Sequence, residues 1–248
     1  MTDSPTVVRP ERRAELAAGL ARVRARVADA CTAAGRDPDE VTLVAVTKTY
    51  PAADVVALAG LGVTDVGENR DQEAAPKAAA VAGAGAAPRW HFIGQLQRNK
   101  ARSVVRYADV VQSVDSVRLA AALDAAASDV RDRPLDVLVQ VSIDGDPARG
   151  GALPGVADPQ RGLDLVAAAV AGAAGLRLAG LMAVAPLGAE PDRAFARLAE
   201  VAARLRADHP GATALSAGMS GDLESAIAHG ATHVRVGSAL LGMRPTLG

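Results

Sequence analysis

The chain has 248 residues, 25.1 kDa, and half of it is apolar, enough to bury a sizeable core and to exclude intrinsic disorder. Twenty-seven Lys and Arg against 28 Asp and Glu leave a net charge of −1, so no basic surplus points to nucleic acid as a partner. One cysteine, Cys31, excludes an internal disulfide framework, and no signal-like segment or apolar run approaches the ~20 residues of a membrane span, so the expected location is the cytoplasm.

From Arg9 to Ala34, Leu16, Leu20, Val23 and Val27 fall at helical spacing before Gly35 and Pro38, which predicts a leading helix over about 10–34. LVAVTK (43–48) is a β-branched run too short for a helix and reads as a strand buried on both faces. Seven more such runs follow: 64–69, 90–95, 109–114, 136–143, 177–184, 212–218 and 232–237, separated by amphipathic alanine-rich segments. Eight strand-like runs alternating with helical segments predict one α/β domain over 1–248, a parallel (β/α)8 TIM barrel. A doubly wound sheet is the alternative, since two runs are weak. The Gly/Pro-rich segment at about 144–162 follows the fifth strand, where a barrel carries a βα loop, so a mobile loop over the pocket mouth is expected there.

Of the 27 basic residues only Lys48, Lys77 and Lys100 are lysine. In so arginine-rich a chain a retained lysine suggests a need for an amine that can lose its proton. Lys48 falls at the carboxyl end of the first strand, the functional face of a barrel. Held against apolar walls it would be a nucleophile able to form a Schiff base with an aldehyde, and a lysine snorkelling to water is an equal reading.

Two turns near the chain end suit a phosphate. LSAGMSGDLESAIAHG (215–230) leaves a strand at Gly218 and enters a helix with Ser220 as its expected N-cap, offering free amides beside the hydroxyls of Ser216 and Ser220. RVGSALLG (235–242) gives a second turn at Gly237 and Ser238. Barrel phosphate sites are often built after strands seven and eight, although capping serines are ordinary in any helix. Arg235 alternates with Val234 and Val236, so it faces the barrel interior, where it needs a partner: a ligand ring nitrogen, a carboxylate, or Glu68. Asn69 ends the second strand, as a donor to a phenolate-like oxygen or as a turn residue. His91 fits a core or supporting role. His229 and His233 straddle Gly230 and belong to different elements, so no metal site is expected.

Together LVAVTK, VGENRDQE, WHFIGQLQRNK, GLMAV, LSAGMSGDLESAI and RVGSALLG resemble the YggS/PROSC family of pyridoxal 5′-phosphate (PLP) binding proteins over roughly residues 11–244. The resemblance implies a barrel of the alanine-racemase N-terminal-domain type (fold type III among PLP proteins), with PLP as the cofactor held as a Schiff base on Lys48. It further implies phosphate contacts from Ser216, Ser220, Gly237 and Ser238, a ring-nitrogen contact from Arg235, and Asn69 beside the cofactor. Many relatives carry a lysine before a glycine after the fifth strand, where this chain has Arg149, Gly150 and Gly151.

The resemblance implies a role in PLP homeostasis without substantial turnover, and an arginine on the ring nitrogen, which leaves PLP a poor electron sink, offers a reason. A PLP-dependent racemase is the alternative. It would need a second acid/base, and the only tyrosines are Tyr50 and Tyr107. A Schiff-base aldolase without PLP is a third reading. Expected partners are PLP itself and PLP-requiring apoenzymes, with neither nucleic acid nor membrane, and a monomer is expected.

Overall fold

The computed structural model describes residues 8–146, 150–186 and 188–242. Helix α1 (Pro10–Ala33) leads, and its buried Leu16, Leu20, Val23 and Val27 are the residues whose spacing predicted it. Then follow β1 (Thr42–Val46), α2 (Ala52–Ala59), β2 (Asp65–Glu68), α3 (Asp71–Gly83), β3 (Arg89–Phe92), α4 (Ala101–Val104), β4 (Val110–Val114), α5 (Val117–Ser128) and β5 (Leu135–Gln140). The chain continues with α6 (Leu163–Ala171), β6 (Leu176–Met182), α7 (Pro191–Asp208), β7 (Ala214–Ser216), α8 (Leu223–Ala228), β8 (His233–Val236) and α9 (Ser238–Leu241).

The eight strands are all parallel and close into a barrel in sequence order, β8 returning to β1. A doubly wound sheet would leave open edges, so closure decides between the two predicted architectures. Each predicted run overlaps one strand, but the strands are shorter and end before the runs do or with them, because residues at the run ends turn away from the ladder to form the loops; β1, β3, β5 and β6 start one residue earlier than their runs.

The outward faces of the strands and the inward faces of the helices make two apolar layers. One unites α1, β1, β2 and β8; the larger is centred on β4 to β7. Helix α1 closes the outside of the β8–β1 seam. It approaches α9 so tightly that a Cβ at Gly19 would overlap the Leu240 carbonyl.

The loop after β5 is better anchored than its composition predicts. Its return limb rejoins the strand through Ala152 N–H to the Gln140 carbonyl (2.7 Å) and Ser142 N–H to the Ala152 carbonyl (3.0 Å), and Ala152 and Leu153 are buried. The reason is that its apolar residues pack under it while glycines carry the reversals. Arg149 lies outside the described residues. Among the described residues no helix is long and apolar enough to cross a membrane.

Candidate functional site at the carboxyl mouth of the barrel

Four strand ends define one arc of the mouth. Ala45 is opposite Val236 in the β1–β8 pair, so the turn carrying Lys48 lies beside Gly237 and Ser238. Val46 is opposite Gly67 in the β1–β2 pair, which brings Asn69 to the same rim. The turn after β7 joins through the Arg235 amide, which donates to the Gly218 carbonyl (2.9 Å). Gly218 has φ +89°, and a Cβ there would meet the Ala226 Cβ at 2.6 Å, so this reversal requires glycine.

The two late turns converge as predicted. Ser238 Oγ and the Ala239 amide both reach Ser220 Oγ at 3.4 Å. The amides of Ser220, Gly237 and Ser238 have no acceptor among the described residues. Helix α1 fixes the first turn from outside, Arg26 Nη1 donating to the Ser220 carbonyl (3.0 Å). Ser220 is not the helix N-cap, however. That position belongs to Asp222, whose carboxylate takes the Met219 amide (2.6 Å), so α8 begins later and Ser220 stays in the turn at the rim, facing Ser238.

Ser216 departs from the expected phosphate role. It is fully buried, accepts from Arg235 Nη1 (2.8 Å) and spends its only proton on Gln112 Oε1 (2.7 Å), leaving no donor for an anion. Its partner Arg235 does face the interior. Its second bond is from Nη2 to the Ala183 carbonyl (2.8 Å), and no carboxylate pairs with it among the described residues. Desolvation draws its pKa down to about 10, so it stays charged at neutral pH. Glu68, the alternative partner, faces α3 instead.

From Arg235 a chain of hydrogen bonds crosses the barrel. The Ser216–Gln112 bond joins β7 to β4, Gln112 Nε2 lies 2.8 Å from His91 Nδ1, and His91 Nε2 lies 2.7 Å from Asp65 Oδ1. Each role follows from the first: Arg235 donates, so Ser216 must donate to Gln112, whose NH2 then faces His91 and places the ring proton on Nε2. Burial alone would raise the Asp65 carboxyl. Hydrogen bonds from His91 and Thr64 outweigh it and hold that carboxyl below the usual range. His91 thus has the supporting role its place in the strand implied.

Lys48 sits in the turn after β1 and is exposed, with no hydrogen bond or ion pair among the described residues. Of the two readings of this lysine, exposure fits the one that opens to water: β1 ends at Val46, and Lys48 is two residues beyond it. Lys77 is the buried lysine. Its ammonium donates to the Thr47 carbonyl (2.9 Å), Glu68 Oε1 (2.7 Å) and Glu73 Oε1 (3.2 Å), which leaves no free position for attack on an aldehyde. Lys100 lies 4.0 Å from Asp71. Sequence reasoning missed Lys77, Glu73 and Gln112; a glutamine inside the apolar run 109–114 was the available signal for the last.

The donor set fits a phosphorylated aromatic aldehyde. Three free amides and two hydroxyls suit a dianion. The remaining Arg235 N–H groups suit a ring acceptor. The buried Asn69 Oδ1 lacks a partner among the described residues, and turning its amide over would present NH2 at the same place. A primary amine stands on the same rim. Tyr50 donates to the Gly242 carbonyl (2.6 Å), which ties the turn after β1 to the residue following α9.

Residues 19–245 match the family model of the alanine racemase N-terminal domain. A pyridoxal phosphate homeostasis protein from Mycobacterium tuberculosis is 47% identical over 251 residues, 95% of each chain. The solved structure of PipY from Synechococcus elongatus with PLP bound has a TM-score of 0.74 at 33% identity, covering 92% of this chain and all (100%) of that one. Alanine racemase from Corynebacterium glutamicum superimposes with a TM-score of 0.63 at 17% identity, over 95% of this chain and 64% of that one, a likeness of fold.

Proposed function

Since the chain belongs to the YggS/PROSC family of pyridoxal phosphate homeostasis proteins, built on the alanine racemase N-terminal domain, we propose that it binds PLP and holds it reversibly as a Schiff base on Lys48. The convergence of the Ser220 turn, the Gly237–Ser238 turn and the Lys48 turn on one arc of the mouth carries this reading. Bound PLP would supply an electrophilic aldehyde and an electron-withdrawing ring.

The geometry supports a task for each residue in this reading. Ser220, Ser238 and the amide of Gly237 hold the phosphate, replacing water with fixed donors. Asn69 orients the ring from the β2 side. Arg235, charged and held by Ser216 and Ala183, donates to the ring nitrogen and cannot yield a proton to it. A ring nitrogen kept unprotonated stabilises a carbanion poorly, which favours storage and delivery over turnover. Delivery would be to PLP-requiring apoenzymes by a monomeric, cytoplasmic carrier.

The test is the visible absorbance of protein mixed with PLP. A Schiff-base band that is present in the wild type and lost in Lys48→Ala supports the reading; a band that survives the substitution defeats it. Solvent deuterium entering Cα of added amino acids faster than with free PLP would favour the racemase alternative.

A further inference from the structure

We propose that Lys77, with Glu68 and Glu73, is a positioning residue for Lys48: a buried ammonium tripod that clamps the Lys48 turn on both sides and aims its amine across the mouth. This inference rests on the PLP-binding reading above and concerns how the same site is set.

Both neighbours of Lys48 are tied to the cluster. Thr47 is held twice, its carbonyl by Lys77 (2.9 Å) and its hydroxyl as donor to Glu68 Oε1 (2.7 Å). Thr49 is held by its amide, which donates to Glu73 Oε1, the oxygen that also accepts from Lys77. Lys48, between them, is tied to nothing. The clamp works against local preference, because Thr49 has φ +68°, a region that a β-branched residue avoids. An unheld turn would relax out of that conformation and swing the Lys48 side chain away from Gly237 and Ser238.

The cluster's chemistry explains why this position is a lysine in a chain where 24 of 27 basic residues are arginine. Three acceptors surround one nitrogen, two of them carboxylates and one a carbonyl. A compact ammonium with three rotatable donors fits that arrangement, and a planar guanidinium does not. The Lys77 and Glu68 side chains are only 6% and 1% exposed, so the cluster is shielded from solvent screening. Glu73 is 29% exposed and closes the outer side.

The experiment compares wild type, Lys77→Met, Lys77→Arg and the milder Glu73→Gln. PLP trapped by borohydride on Lys48 is followed as a rate. Pyridoxine 5′-phosphate, with an alcohol in place of the aldehyde, reports the non-covalent part of the site. Both Lys77 variants are expected to slow trapping about tenfold or more, Glu73→Gln about threefold, with pyridoxine 5′-phosphate affinity within about twofold of wild type throughout. In protein without PLP, amide exchange at Lys48 to Tyr50 is expected to accelerate about tenfold while β1 is unchanged. Wild-type trapping in Lys77→Met, restoration by Lys77→Arg, or equal loss of covalent and non-covalent binding overturns the proposal. Should wild type itself not trap at Lys48, the PLP reading fails separately, and unchanged exchange in Lys77→Met and Glu73→Gln then overturns the clamp.

Discussion

The barrel interior is filled in two ways, and the contrast separates what holds the fold from what makes the site. On the β4–β6 side, Val110, Leu138 and Met182 form an apolar plug. On the side of β2, β3, β7 and β8 the filling is Asp65, His91, Ser216 and Arg235, joined end to end by hydrogen bonds through Gln112, which reaches in from β4. The plug stabilises simply by being out of water, at about 25 cal/mol per Å². The polar row gains little net stability, since each bond replaces one to water, but losing a member strands its neighbours. A barrel that needed only to fold would be plugged throughout; here a row of polar side chains crosses the interior and ends on one guanidinium.

Four substitutions or conditions sharpen that contrast. The largest effect is expected from Lys48→Ala, which should abolish PLP trapping while stability in a urea titration stays within about 0.5 kcal/mol, the side chain being exposed and unpaired. Leu138→Ala should do the reverse, costing about 2–5 kcal/mol in the same titration and leaving PLP affinity intact. Third is acid. Burial, then repulsion from His91, lowers the pKa of His233 from 6.5 to about 4. The unfolded chain therefore takes up the proton first. Stability should be full above pH 6.5 and fall by roughly 2 kcal/mol as pH drops through that window, and His233→Gln should flatten the slope. The smallest effect belongs to Thr49→Asn: asparagine tolerates the left-handed region better, so stability should rise by up to about 1 kcal/mol, with trapping preserved by the unchanged backbone clamp.

The fold was legible because its signals are local and repeated. β-branched runs at regular intervals gave eight strands, and Leu16, Leu20, Val23 and Val27 gave the leading helix. The inward turn of Arg235 was legible too, from simple alternation with two valines. What could not be read were relations across the barrel. That Ser216 serves Arg235 depends on β7 facing β4, a fact of closure. Lys77 carries no local mark of its role: in sequence it is a lysine among alanines on α3, and only the folded chain brings Thr47, Glu68 and Glu73 around it. The exposure of Lys48 stays open in the sequence for a similar reason, since a strand run gives no notice of where its last two residues leave the ladder.

The account stands most directly on the identity of the amine that carries PLP. Protein mixed with PLP, reduced with borohydride, digested and mapped by mass spectrometry should show the reduced adduct on the peptide containing Lys48 and on no other. An adduct confined to Lys77 or Lys100, or none on any lysine under saturating PLP, would contradict it.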